Sequence, residues 1–156
     1  MHTPIQSKIE RINRINIFLF IFYVLFLKVV FTYSFVQVVS KLISYDISAG
    51  SYKYTNLAEE VFTVVLFGPV LESFVLQYLP FQYLSTRIRP FGVIVLSATL
   101  FGAVHNFNEM YQLYTFIAGV LYAVIYHIKG ENIKAFLTIT IIHMLFNSIV
   151  VLENNF

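Results

Sequence analysis

Ile17-Phe18-Leu19-Phe20-Ile21-Phe22-Tyr23-Val24-Leu25-Phe26-Leu27 runs without a charge, a Gly or a Pro. Lys8, Arg11 and Arg14 precede it, and Lys28, Val29, Val30 and Phe31 follow it. A secretory signal begins in the same way, basic and then apolar. No small-residue cleavage site comes next, so the run is expected to remain as a first transmembrane helix. Outward from it, similar apolar runs recur along the whole chain. The expected spans cover approximately 15–39, 58–83, 91–107, 110–128 and 133–152. The third is the shortest, close to the lower limit of about 17 residues for a crossing. The expected fold class is therefore all-α: a polytopic integral membrane bundle of about five transmembrane helices.

Composition leads to the same class. Hydrophobic residues make up 58% of the chain and charged residues 12%. That leaves too little polar surface for a soluble domain of this size. There is no Cys, which excludes disulfides, Cys-ligated metals and thiol catalysis. The net charge of +2 is small, and the basic residues are scattered between spans. They read as topology signals, and no nucleic-acid partner is expected. The chain is expected to form one domain with a basic N-terminus (1–14), a first transmembrane helix (15–39) and a helical core (57–152). The longest connection surrounds Ser44, Ser48, Gly50 and Ser51; Ser85 to Pro90, Asn106 to Glu109 and Lys129 to Asn132 are short turns.

An inside N-terminus puts Lys8, Arg11, Arg14, Arg87, Arg89, Lys129 and Lys134 in the cytoplasm. Lys41 and Lys53 then lie outside, and Lys28 lies mid-span. The C-terminus is expected outside. Abundant Ile, Phe, Asn, Tyr and Lys fit the plasma membrane of a low-GC bacterium.

Polar groups inside the spans carry the functional argument, because a carboxylate in hydrocarbon costs about 2.5–3.5 kcal/mol on insertion scales. Glu59-Glu60 is a decoy: Asn56 and Glu59 have capping-box-like spacing at a helix start. Glu72 is different, being deep in its span just after Pro69, which frees a backbone carbonyl. Its bland reading is a structural pair with Lys28, unless Lys28 snorkels instead; its functional reading is a general base. His105 is four residues after Phe101, on the same helix face. His143 and Asn147 share a face four apart, suited either to interhelical hydrogen bonding or to stabilising an oxyanion. His127 reads as interfacial, and His2 carries no functional reading. Ser73 and Ser97 are the candidate Ser nucleophiles, with no base assigned to either.

Separate helices thus supply an acid, a His and a His/Asn pair. Two chemistries fit. In one, Glu72 and His105 activate water while His143 and Asn147 stabilise the tetrahedral intermediate. In the other, Glu72, His105 and His143 hold Zn²⁺, although no HExxH is present. No cofactor is favoured; zinc is the alternative. The partners implied are membrane lipid and a peptide or protein substrate at the membrane.

The same residues resemble the CPBP family of CAAX proteases and bacteriocin-processing proteins, also called the Abi family, which includes the type II CAAX prenyl endopeptidases. Its pattern is EExxxR, then FxxxH, then HxxxN or HxxxD. Glu72 matches the first Glu, Phe101 and His105 match FxxxH, and His143 and Asn147 match HxxxN. Phe116-Ile117-Ala118-Gly119 onward also looks like the family's approach to its last motif. Within it, Gly119 and Ala123 form a small-xxx-small packing face. The resemblance covers roughly 57–152 and implies an intramembrane endopeptidase, with Glu72, His105, His143 and Asn147 as its chemistry. Two positions depart from the pattern: Ser73 stands for the second Glu and Gln77 for the Arg. Losing both charges together avoids stranding one, and Ser73 and Gln77 are expected to keep a neutral contact. The alternative implied is a non-catalytic relative acting in bacteriocin immunity or as a scaffold.

Overall fold

Each expected span is a helix in the computed structural model, which describes residues 9, 12–44 and 52–156. His2, Lys8, Arg11, Ser48, Gly50 and Ser51 lie outside the described residues. Helix α1 (Ile17–Val38) continues into a π-helical turn, Val39–Ile43. It is followed by α2 (Leu57–Leu84), α3 (Pro90–Val104), α4 (Glu109–Ile128) and α5 (Ile133–Asn155). The described residues include no strand.

The four long helices begin at an Asn whose side chain accepts a backbone N–H. Asn16 accepts from Phe18, Asn56 from Glu59, Asn108 from Tyr111, and Asn132 from Lys134 and Ala135. Helix α3 starts with Pro90 instead, whose missing N–H needs no partner there. The decoy acid takes its expected place: the Glu59 carboxylate accepts from Thr55 Oγ1 (2.5 Å) and Thr55 N (3.0 Å). His127, near the end of α4, pairs with Glu131 at 2.5 Å and is partly exposed.

Among the described residues, four helices are long and apolar enough to cross a membrane; α3 is apolar but shorter. Its 15 residues rise only about 22 Å. The expected third span, 91–107, overshoots because His105 leaves the helical region (φ −107°, ψ 48°). The turn to the Asn108 cap follows at once.

Close packing of α3 on α4 depends on two glycines. A Cβ on Gly119 would lie 2.8 Å from Phe101 Cβ and 3.0 Å from Ala98 Cα. One on Gly102 would lie 3.0 Å from Phe116 Cβ. The small face expected at Gly119 and Ala123 therefore sits in this interface, with Ala123 fully buried.

At one end of the bundle, Asn13 Nδ2 donates to the Ile128 carbonyl (3.0 Å) and Gln82 Nε2 to that of Glu131 (2.8 Å). The start of α1, the end of α2 and the α4–α5 turn therefore meet, with Arg14, Lys129 and Lys134 among them. At the other end, Asn155 Nδ2 donates to Glu60 (3.0 Å).

Helix α2 is not a plain α-helix. It is π-helical over Val61–Phe67 and Ser73–Tyr78, on either side of an α-helical turn, Gly68–Glu72. Gly68 N–H reaches back five residues to the Thr63 carbonyl. In that register Pro69 would be the donor for Val64, but it has no N–H. Asn147 Nδ2 on α5 supplies the bond instead, at 2.7 Å. Further along, Pro80 has no N–H for the Leu76 carbonyl four residues back, and the Ser97 hydroxyl on α3 donates to it. Each proline thus frees a carbonyl that a neighbouring helix satisfies, as apolar surroundings require.

Candidate active site

Gly68–Glu72 is the α-helical turn between the two widened stretches, and Glu72 is its last residue. From there the carboxylate faces a cavity of about 350 Å³ that is also lined by His105, His143, Asn147, Tyr122 and Lys28. Glu72 Oε2 lies 3.6 Å from His105 Nε2 and 3.9 Å from His143 Nε2. Both distances exceed a direct hydrogen bond. Oε2 itself is buried and has no hydrogen-bond partner. Three helices that are distant in sequence therefore bring one carboxylate and two imidazoles to a single point.

His105 is held by its own helix end. Its Nδ1 lies 2.7 Å from the Phe101 carbonyl. A carbonyl can only accept, so Nδ1 carries the proton and Nε2 presents a lone pair towards Glu72. The ring stacks on Phe101 at 4.7 Å, which gives the FxxxH spacing a physical purpose. His143 is nearly fully enclosed, with its ring 4.9 Å from Tyr122 and 5.8 Å from Phe101. Its Nδ1 is buried without a partner. Asn147 borders the same cavity, one turn beyond His143. One of its two amide hydrogens is committed to the Val64 carbonyl, leaving the second hydrogen and the amide oxygen.

Other expectations meet corrections. Gln77 is fully buried, yet neither its Nε2 nor its Oε1 has a hydrogen-bond partner. The expected neutral contact with Ser73 is therefore not made through a hydrogen bond. The i,i+4 reasoning behind it assumes α-helical turns, and Ser73–Tyr78 is π-helical. Ser73 and Ser97 are buried away from the cavity, and the Ser97 hydroxyl is taken by Leu76. Neither is placed as a nucleophile.

Lys28 neither pairs with Glu72 nor snorkels. Only 4% of it is exposed. Its Nζ lies over the rings of Phe146 (4.0 Å), Tyr122 (5.0 Å) and Tyr114 (5.6 Å). Sequence reasoning marked Lys28 as oddly placed without bringing it to the site. It missed Tyr122 altogether, because nothing distinguishes that residue among the eleven tyrosines. Among the described residues, no three His, Asp or Glu side chains are placed as a metal-ligand group.

A comparison with protein families gives a match. The family model described as "Type II CAAX prenyl endopeptidase Rce1-like" covers residues 55–149. That stretch contains Glu72, His105, His143 and Asn147, and excludes α1. No curated protein and no solved structure matches the chain.

Proposed function

The chain belongs to the type II CAAX prenyl endopeptidase Rce1-like family, and we propose that it hydrolyses a peptide bond within or next to the membrane with water activated by Glu72 and His105. Membership and the apolar helices carry the coarse statement, a CAAX-protease-like enzyme embedded in a membrane. The finer reading rests on the unpartnered Glu72 Oε2 flanked by both imidazole Nε2 atoms. One water about 2.8 Å from carboxylate and imidazole spans gaps of that size. Glu72 takes a proton from this water as its oxygen attacks the scissile carbonyl carbon. His143 and the second amide hydrogen of Asn147 donate to the oxyanion of the tetrahedral intermediate. The proton returns through His105 to the leaving amine as the C–N bond breaks. The N-terminus is cytoplasmic in this reading, with the basic end of the bundle on the same side.

In proteoliposomes assayed against a library of fluorogenic apolar peptides, the wild type is expected to cleave and Glu72→Gln to lose at least a hundredfold. Chelator is expected to leave the rate unchanged. Full cleavage by Glu72→Gln would overturn the role of Glu72. Loss to chelator restored by zinc would move the mechanism to Glu72, His105 and His143 as metal ligands.

The second reading is a non-catalytic relative serving in immunity or as a scaffold. It draws on Ser73 and Gln77, where the family pattern has a Glu and an Arg. No cleavage by wild type, with its biological effect retained in Glu72→Gln, would favour it.

A further inference from the structure

Lys28 is the one cation lining the cavity among the described residues, and it comes from α1, outside the family-matched stretch. Its ammonium is framed by three aromatic faces. Among the described residues no carboxylate or carbonyl lies within ion-pair or hydrogen-bond reach of Nζ. The side chain is held in place from behind. Thr32 Oγ1 gives its hydrogen to the Lys28 carbonyl (2.8 Å), so the Tyr114 hydroxyl is the donor in its 2.9 Å bond to Thr32. That bond ties α1 to α4 one turn beyond the lysine. Tyr122 lines the same cavity, and its hydroxyl, a second donor, is buried without a partner. Ring faces offset only part of the cost of keeping an ammonium out of water, and an arriving anion offsets the rest.

We propose that Lys28 and Tyr122 form a carboxylate-binding subsite that registers the substrate peptide against Glu72 and His143. The inference rests on reading the cavity as the substrate site. Tyr122 fixes the geometry: one face of its ring region meets Lys28, and its ring also packs 4.9 Å from His143. A carboxylate held at Lys28 therefore lies about one side chain from the candidate hydrolytic atoms. In a peptide that group is either the free C-terminus or an Asp or Glu side chain.

Binding tests the subsite without requiring turnover. Three fluorescein-labelled heptapeptides of Leu, Val and Phe serve as probes: one with a free C-terminal carboxylate, one C-terminal amide, and one amide carrying a single internal Asp. Fluorescence anisotropy on Glu72→Gln protein in detergent micelles should show a carboxylate peptide binding about tenfold or more tighter than the plain amide. Which of the two carboxylate peptides gains identifies the source of the group. Adding Lys28→Met should erase the preference, Lys28→Arg should keep most of it, and Tyr122→Phe, which removes only a hydroxyl, should reduce it. Equal binding of the three peptides, no binding of any, or a preference that survives Lys28→Met overturns the proposal. Lys28-dependent binding of phosphatidylglycerol with no peptide preference overturns it too, by assigning the cation to lipid. Wild-type cleavage is scored separately. A preference without cleavage sinks the hydrolytic reading alone, and cleavage without preference sinks the subsite alone.

Discussion

Gln77 is a full amide enclosed in the interior with no partner for either of its polar atoms. Leaving such a group unsatisfied costs about 1–3 kcal/mol, and replacing it by an apolar side chain of similar size removes that cost. Gln77→Leu is accordingly expected to stabilise the protein by about 1 kcal/mol in denaturant titrations in micelles. A destabilisation would mean that the amide has a role which its surroundings do not reveal. At this scale the candidate site was legible from sequence wherever polarity stood against an apolar background. Glu72, His105, His143 and Asn147 each interrupt a lipid-like run, and the structure brings all four to one cavity. Tyr122 was not legible, because tyrosine is common in such helices and its unpartnered hydroxyl shows only in three dimensions. The surroundings of Lys28 were hidden for the same reason: its cage comes from α4 and α5, residues 114, 122 and 146.

Helix α2 decides where Glu72 points, and its shape depends on donors supplied by other helices. Asn147 bonds the carbonyl that Pro69 leaves open in the widened register. Asn147→Leu is therefore expected to cost about 1–3 kcal/mol. In a Pro69→Ala background the cost should shrink, because residue 69 regains an N–H for the Val64 carbonyl. Equal costs in both backgrounds, measured as a double-mutant cycle, would show that Asn147 and Pro69 are uncoupled. The ends of the helices were legible in sequence, since Asn caps, Pro90 and short turns are local signals. The π-helical turns were not. They show only in three dimensions, and they change which of its residues face together. That is why the expected Ser73–Gln77 pairing is not made, while Phe101 in the regular α3 and His105 at its C-cap meet as their spacing required.

The whole molecule is a helical bundle whose apolar exterior suits lipid and whose described cavity, mostly apolar with a few polar groups, draws on α1, α2, α4, α5 and the end of α3. Its class was legible because backbone groups in hydrocarbon leave few choices beyond closed helices. The assembly of the cavity was legible only as a convergence of isolated polar residues, and α1's part in it lies outside the family-matched stretch. The central claim is that carboxylate and imidazole act as one unit on one water. Groups acting as a unit lose their effect together, so their removals do not multiply. The most direct measurement is single-turnover cleavage by Glu72→Gln, His105→Ala and the double variant, each first shown to unfold in micelles like the wild type. Each single change is expected to lower the rate roughly 10²–10⁴-fold, with the double variant no slower than the worse single. Rates that fall by the product of the two factors, or a Glu72→Gln protein as fast as wild type, would contradict a shared hydrolytic centre.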